Sequence, residues 1–313
     1  MTTPRTGTGI ALAFVCLVIL STMPIISNSR PAAFGALGFA FFLSVWQTVF
    51  ATPVYWFERR RARPAAAPAK ARPRRAMAVL AMTSLMFAGS TYLYVLGVEK
   101  AGAANAAIAM QAYPVFAIAL ETLFLGRRKN AVELAFTGLL VAALYYLGTG
   151  GTGRLDGLSV WFLVALAVPL LWSIAHIIIK EELARTPITP AQVTFMRVSL
   201  STIALGALML VIDPRALMDA ALRPDFQLFA ALMGLVYYLE LVVWFYAVRH
   251  IDVSLASSIT TPWPAFTMVL AALVLGDRIE PYQIVTFVVV AACIYGLTWA
   301  GLRKARRSEL LQQ

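Results

Sequence analysis

Charged side chains are scarce in this chain: lysine, arginine, aspartate and glutamate together make up only 13% of its 313 residues. Soluble domains carry about 25% charged residues. Hydrophobic residues reach 60%, and the mean hydropathy is +0.77. A soluble domain of this length could not bury that much apolar surface. The composition therefore excludes an ordinary soluble protein and favours a protein embedded in a membrane.

Cysteine and histidine are rarer still, with two of each. Cys16 and Cys293 both fall inside apolar runs, which favours lipid-facing or core positions over a disulfide. His176 and His250 are far apart and show no metal-ligand spacing, and the chain has neither a P-loop nor a G-x-S-x-G motif. The sequence therefore predicts no catalytic residue, no cofactor, no bound metal and no enzymatic activity.

Long apolar runs dominate the chain instead. A run of about 20 residues is long enough to cross a hydrocarbon core. The first run follows Arg5, as in a signal peptide, but no A-x-A cleavage site comes after it, so we count it as a span. The sequence thus predicts an all-α membrane protein with ten transmembrane helices, near residues 9–27, 33–57, 76–98, 103–125, 131–149, 158–180, 188–212, 226–248, 252–275 and 281–302.

The positions of the basic residues predict the orientation. If the N-terminus is cytoplasmic, 19 lysines and arginines lie in cytoplasmic segments and six lie outside. Such a bias places both termini in the cytoplasm. The basic stretch 58–75 becomes a cytoplasmic linker that can contact anionic lipid headgroups. The net charge of +11 is explained in this way, and nucleic acid is not an expected partner.

A repeat divides the chain into two halves. Residues 114–147 reappear 150 positions later at 264–297, and ten of the 34 aligned residues are identical. Each half contains five predicted spans. Because five is odd, two copies inserted in sequence face opposite ways, and inverted repeats of this kind are typical of alternating-access carriers. We expect a first half at 1–150, a second half at 151–303 and a cytoplasmic tail at 304–313.

The repeated residues form the pattern P-x-F-x-x-x-L-x-x-L-x-L-G-x-R, which occurs twice. On this pattern, and over nearly its whole length, the chain resembles the drug/metabolite transporter superfamily, specifically the EamA-type bacterial exporters. Leu171-Trp172-Ser173 is similar to a Trp-plus-small-residue element of that family, whereas the first span has Leu20-Ser21 there. The frequent G-E-R of the family reads Gly126-Arg127-Arg128 and Gly276-Asp277-Arg278.

Two charged residues lie inside predicted spans. Arg197 is nine residues from the cytoplasmic start of the seventh span, and Glu240 is eight residues from the cytoplasmic end of the eighth. At 1.5 Å per residue both lie about 12–14 Å deep. Buried charges of this kind usually face the interior of a helix bundle. They are either a substrate anchor or charge gate, or a structural ion pair; the absence of an acid equivalent to Glu240 in the first half favours a functional role.

Prolines mark the fourth and ninth spans. Tyr113-Pro114 and Trp263-Pro264, with a further Pro262, predict helix kinks on either side of the pseudo-twofold axis. Carbonyl groups released by a kink are tolerated where they line a cavity. With Gln111 and Thr261 as hydrogen-bonding groups and aromatic residues as walls, the candidate substrate-binding residues are Gln111, Tyr113, Trp172, Arg197, Tyr238, Glu240, Thr261 and Trp263.

These features together predict a carrier in the cell inner membrane that moves a small molecule by alternating access. Because the chain lacks an ATP-binding motif, energy must come from an ion gradient, from exchange or from the substrate's own gradient. The family resemblance implies export of amino acids or related metabolites. The alternatives are uptake of a vitamin, a nucleoside-like compound or a quaternary amine, or flipping of a lipid-linked substrate. The expected partners are a small-molecule substrate and membrane lipid, and the chain would act as a monomer or homodimer.

Overall fold

The computed structural model describes residues 6–31, 34–61, 73–126, 129–183, 190–248, 250–251, 256 and 259–310. Within these ranges the secondary structure consists of helices and turns, without strands. A 3₁₀ turn covers Leu155–Gly157, and a π-turn covers Ala271–Leu275. The helices are α1 (Thr6–Asn28), α2 (Ala36–Arg61), α3 (Pro73–Ala101), α4 (Ala103–Met110), α5 (Tyr113–Leu125), α6 (Ala131–Gly148), α7 (Val160–Leu183), α8 (Pro190–Ile212), α9 (Pro214–Ala221), α10 (Pro224–Val248), α11 (Trp263–Leu270) and α12 (Pro281–Leu310).

The described residues form nine helical passages that are long and apolar enough to cross a membrane, with α4 and α5 counted as one passage. The predicted ninth span is represented by the shorter apolar helix Trp263–Leu275, because residues 252–255 and 257–258 lie outside the described ranges. The predicted fold class, an all-helical multi-pass membrane protein, is confirmed. Helices satisfy their own backbone hydrogen bonds, which apolar lipid requires.

Two helices extend past the spans predicted from hydrophobicity. Helix α12 continues to Leu310, so most of the predicted 304–313 tail is helical. Helix α2 ends at Arg61 and α3 begins at Pro73, so the predicted 58–75 linker is helical at both ends, while 62–72 lie outside the described ranges. Arginine, lysine, leucine and alanine are good helix formers, and these helices therefore continue into polar sequence.

The two halves pack crosswise. The first helix of each half contacts the third spanning helix of the other, in the pairs α1–α10 and α7–α3. The second helix of each half also contacts the third spanning helix of the other, in the pairs α2–α10 and α8–α3, and counterpart helices contact each other in the pairs α2–α8, α6–α12 and α4–α11. A pseudo-twofold axis therefore runs between the halves. Every residue of α4 except Asn105 is buried.

Each half contains a helix that is broken at the same point. The break lies at Gln111–Ala112 in the first half and at Thr261–Pro262 in the second. After each break the backbone closes a tighter turn: Val115 N–H donates to the Ala112 carbonyl at 3.0 Å, and Ala265 N–H donates to the Pro262 carbonyl at 2.9 Å. The carbonyl groups of Gln111 and Thr261 are thereby released from these two N–H groups.

The structure shows the predicted proline kinks as breaks. Pro114 and Pro264 lie in the first turns of α5 and α11, and Pro262 is the residue just before α11. Proline is well tolerated there because first-turn N–H groups have no helical acceptor to lose. At their far ends, α5 and the π-turn after α11 stop at Gly126 and Gly276, with φ of 62° and 72°. This left-handed conformation explains why glycine occurs at both repeat positions.

Candidate substrate-binding site

The two helix breaks meet at the pseudo-twofold axis. Gln111 Nε2 donates a hydrogen bond of 2.8 Å to the carbonyl oxygen of Thr261. Tyr113 and Trp263, which begin α5 and α11, flank this contact, and each carbonyl oxygen accepts a serine hydroxyl: Ser173 Oγ at 3.3 Å for Tyr113 and Ser21 Oγ at 3.2 Å for Trp263. The structure therefore brings together four of the predicted site residues, Gln111, Tyr113, Thr261 and Trp263.

Arg197 enters the bundle from α8. It is only 9% exposed, and its guanidinium lies over the Phe87 ring at 3.9 Å from the centroid. Within the described part of the chain it makes this cation–π contact and no hydrogen bond. Its electrostatic neighbours are Tyr237 and Glu240 on α10 and His176 on α7. The five N–H donors of a guanidinium are therefore left available to a further acceptor.

Glu240 lies near Arg197, as the predicted depths require, but the two described side chains do not form an ion pair. Among the described residues, the Cys16 thiol of α1 donates to the Glu240 carboxylate, with Sγ at 3.9 Å from Oε1. A thiol is a weak donor. The hydroxyl of Tyr237, one turn before Glu240, is buried and has no hydrogen-bond partner among the described residues. The structure therefore shows the two charges as near neighbours and not as a direct ion pair.

Aromatic and polar side chains of α3, α5 and α7 complete this region. The Tyr113 hydroxyl is 3.3 Å from His176 Nδ1, and the His176 ring centroid is 5.5 Å from that of Phe87. The predicted wall residue Trp172 donates from Nε1 to Ser90 Oγ at 3.0 Å, which fixes its indole orientation. These contacts link Trp172 and Tyr113 to α3, whose Phe87 contacts Arg197.

Tyr238 is the predicted site residue that the structure does not bring to this group. It is buried, and its electrostatic neighbours are Glu58 and Tyr246. Tyr237 takes its place, facing Arg197, Glu240 and the Tyr94 ring at 6.0 Å. Adjacent residues on a helix point about 100° apart. Tyr237 and Tyr238 have nearly the same depth in the membrane, so the depth estimated from the sequence could not distinguish them.

Phe87 and His176 were missing from the predicted site, and the repeat indicates Phe87 only once Tyr237, not Tyr238, is known to lie there. The 150-residue offset of the repeat relates Phe87 to Tyr237, and both residues lie beside Arg197. The same offset relates Ser90 to Glu240. No group of three or more histidine, cysteine, aspartate or glutamate residues is arranged to hold a metal ion in the residues that the structure describes.

A sequence model of the EamA-like transporter family matches this chain twice, over residues 7–149 and 159–299. No curated protein matches it. Among solved structures, 28 chains match. One of them, titled only as a crystal structure of a protein, is 14% identical with a TM-score of 0.60, and the match covers 94% of this chain and 98% of that chain. At this identity the likeness concerns the fold.

Proposed function

Since the chain belongs to the EamA-like transporter family, we propose that it exports amino acids or closely related zwitterions across the inner membrane by alternating access. Membership of the family makes the chain a membrane transporter of small molecules. Arg197 carries the finer proposal, because it is a buried cation whose hydrogen-bond donors are not used by the described residues.

Arg197 is proposed to bind the carboxylate of the substrate. A guanidinium offers paired, coplanar N–H donors that fit the two oxygens of a carboxylate. Phe87 supports one face of the guanidinium by the cation–π contact and leaves its edges free. The Tyr237 hydroxyl, buried without a partner in the described part of the chain, supplies one more donor for the same anion.

Glu240 is proposed to bind the amino group. Among the described residues its carboxylate has only the weak Cys16 thiol within donor range, and it lies near Arg197 without forming an ion pair. Two opposite charges held apart in this way match the two charges of a zwitterion better than they match each other. The ring of Tyr113 and the indole of Trp172, oriented through His176 and Ser90, are proposed as apolar walls for the rest of the substrate.

Counterflow in proteoliposomes tests this proposal. Proteoliposomes that contain the purified protein are preloaded with one unlabelled amino acid at a time. Uptake of the same compound in labelled form is then measured with and without a pH gradient. A nucleoside, choline and a lipid-linked sugar are assayed in parallel. Counterflow of amino acids alone supports the proposal, whereas selective transport of one of the other three compounds overturns it.

The matched control is Arg223→Gln. Arg223 is an exposed arginine that already pairs with Asp225 at 2.7 Å, and its loss should leave counterflow unchanged. Arg197→Gln should abolish counterflow of every amino acid tested. Right-side-out and inverted vesicles then distinguish export from uptake. Faster net movement from the cytoplasmic side is expected.

A further inference from the structure

The helices that follow the two breaks, α5 and α11, each begin at a residue whose carbonyl accepts a hydrogen bond from a serine. That serine belongs to the opposite half of the chain. Ser173 Oγ of α7 lies 2.7 Å from the Pro169 carbonyl of its own helix and 3.3 Å from the Tyr113 carbonyl. Ser21 Oγ of α1 lies 2.7 Å from the Leu17 carbonyl and 3.2 Å from the Trp263 carbonyl. Each hydroxyl thus shares one proton between its own helix and the broken helix of the other half.

The two serines are structural counterparts. Both lie on the first helix of a half, both are buried, and both reach the first residue of a broken helix. Tyr113 and Trp263 are themselves counterparts, 150 positions apart in the repeat. The two sets of distances agree within 0.1 Å. We call this set, Ser21 with Trp263 and Ser173 with Tyr113, the pivot.

The far ends of the broken helices are covered much less than their starts. At the breaks, Ala112 is 1% exposed and Thr261 is 4% exposed. Near the ends, Phe124 and Leu273 are each 77% exposed. Each of these helices is therefore enclosed by protein at its break and presents apolar side chains away from the protein near its far end.

Because the two serine contacts are nearly equal in length, inverted symmetry predicts what happens to them during transport. In a carrier with inverted repeats, the outward and inward states exchange the conformations of the two halves. A contact that both halves make equally in one state is therefore made equally in the other. We infer that Ser21 and Ser173 keep the starts of α11 and α5 fixed in both states, while the far ends move. This inference rests on the alternating access in the proposed function.

Alanine variants of the two serines test the pivot without any substrate. Spin labels placed by Phe124→Cys with Tyr246→Cys, and by Leu273→Cys with Met218→Cys, report the populations of the two states in nanodiscs. Thermal unfolding is measured on the same samples. Ser21→Ala and Ser173→Ala should lower the melting temperature by equal amounts. Each variant should leave the ratio of the two states within about twofold of the parent. If one state alone lost a whole hydrogen bond, the ratio would change by more than this.

Ser44→Ala is the matched control. Ser44 is buried and donates to the carbonyl four residues before it at 2.8 Å, but has no second acceptor in the other half among the described residues. Its melting temperature should fall less than those of the two pivot variants. Ser21→Thr and Ser173→Thr keep the hydroxyl and should recover most of the lost stability, and they replace the alanine variants if those are too unstable to purify.

The pivot is overturned if either alanine variant changes the ratio of the two states by more than about fivefold, the equilibrium value of one net hydrogen bond. Changes in opposite directions would show that the bonds form in one state and break in the other, as in a gate. Losses of stability no larger than that of Ser44→Ala would also reject it. Because no substrate is present, failure of amino acid counterflow would leave these results unaffected.

Discussion

Gln111 and Thr261 occupy the same position in the two halves of the chain, and the side chain of the first donates to the backbone carbonyl of the second at 2.8 Å. A bond between counterparts necessarily crosses the pseudo-twofold axis. The acceptor is available because Ala265 N–H donates to Pro262 instead of Thr261. The helix break in the second half thus provides the carbonyl group that accepts a hydrogen bond from the first half.

Gln111→Leu removes this donor and should lower the free energy of unfolding by about 1–3 kcal/mol, because the carbonyl of Thr261 loses a bond in an apolar setting. Thermal unfolding in detergent measures the change. Gln47→Leu is a suitable control: Gln47 is equally an interior glutamine, but its Nε2 is buried without a partner in the described residues. That variant should be neutral or slightly stabilising. If both variants lose the same stability, the hydrogen bond of Gln111 to Thr261 does not stabilise the fold.

Arg197→Met combined with Glu240→Gln should fold normally and lose transport by about tenfold or more, as expected when two substrate-binding charges are removed. Folding is followed by size-exclusion chromatography and thermal unfolding, and transport by counterflow. In a purely structural ion pair, loss of one partner alone would cost about 3–5 kcal/mol and loss of both would restore function. Near-normal counterflow by a well-folded double variant would therefore rule out substrate anchoring.

At Gly234, α10 lies against the backbone of α2. A Cβ atom there would lie 2.7 Å from the Leu43 carbonyl oxygen and 2.9 Å from the Gln47 nitrogen, both of them backbone atoms. Gly234→Ala should thus destabilise the protein by about 1–3 kcal/mol. Gly138 in α6 has no atom within 4 Å of such a Cβ. Gly138→Ala should instead be neutral or stabilising by about 0.4–1 kcal/mol, and thermal unfolding separates the two outcomes.

The predicted orientation is tested by single cysteines at Ala67, Gly151 and Ser308. With both termini in the cytoplasm, a membrane-impermeant thiol reagent should label Gly151→Cys in right-side-out vesicles and leave the other two unlabelled until the membrane is permeabilised. Both native cysteines are buried and give a low background. Labelling of Ala67→Cys from outside would reverse the topology.

The repeat in the sequence predicted the fold and the axis because it reflects inverted symmetry, which places Tyr113 opposite Trp263 without knowledge of tertiary contacts. Helical rise predicted that Arg197 and Glu240 lie at the same depth. Their separation, and the preference for Tyr237 over Tyr238, depend on rotation of each helix about its own axis. These helices carry apolar side chains on nearly every face, so the sequence contains little information about that rotation.

The role of Ser173 could not be predicted in the same way. The sequence identifies Trp172-Ser173 as a family-like element and predicts the indole as a pocket wall. The hydroxyl contacts a carbonyl 60 residues away in the other half of the chain. Such a contact depends on how two helices cross, since a backbone acceptor has no distinguishing side chain.

The Cys16 thiol, 3.9 Å from the Glu240 carboxylate, gives the unmodified protein a chemical reporter beside its candidate site. Cys16 and Cys293 are both buried, so a small membrane-permeant reagent at long exposure is needed in place of the impermeant one. A compound that occupies the site should slow alkylation of Cys16 and leave Cys293 on α12 as an internal reference for reagent access. Ligands can then be ranked by mass spectrometry of two peptides, before any flux assay exists. Compounds that never cross the membrane, inhibitors included, would be detected as readily as substrates.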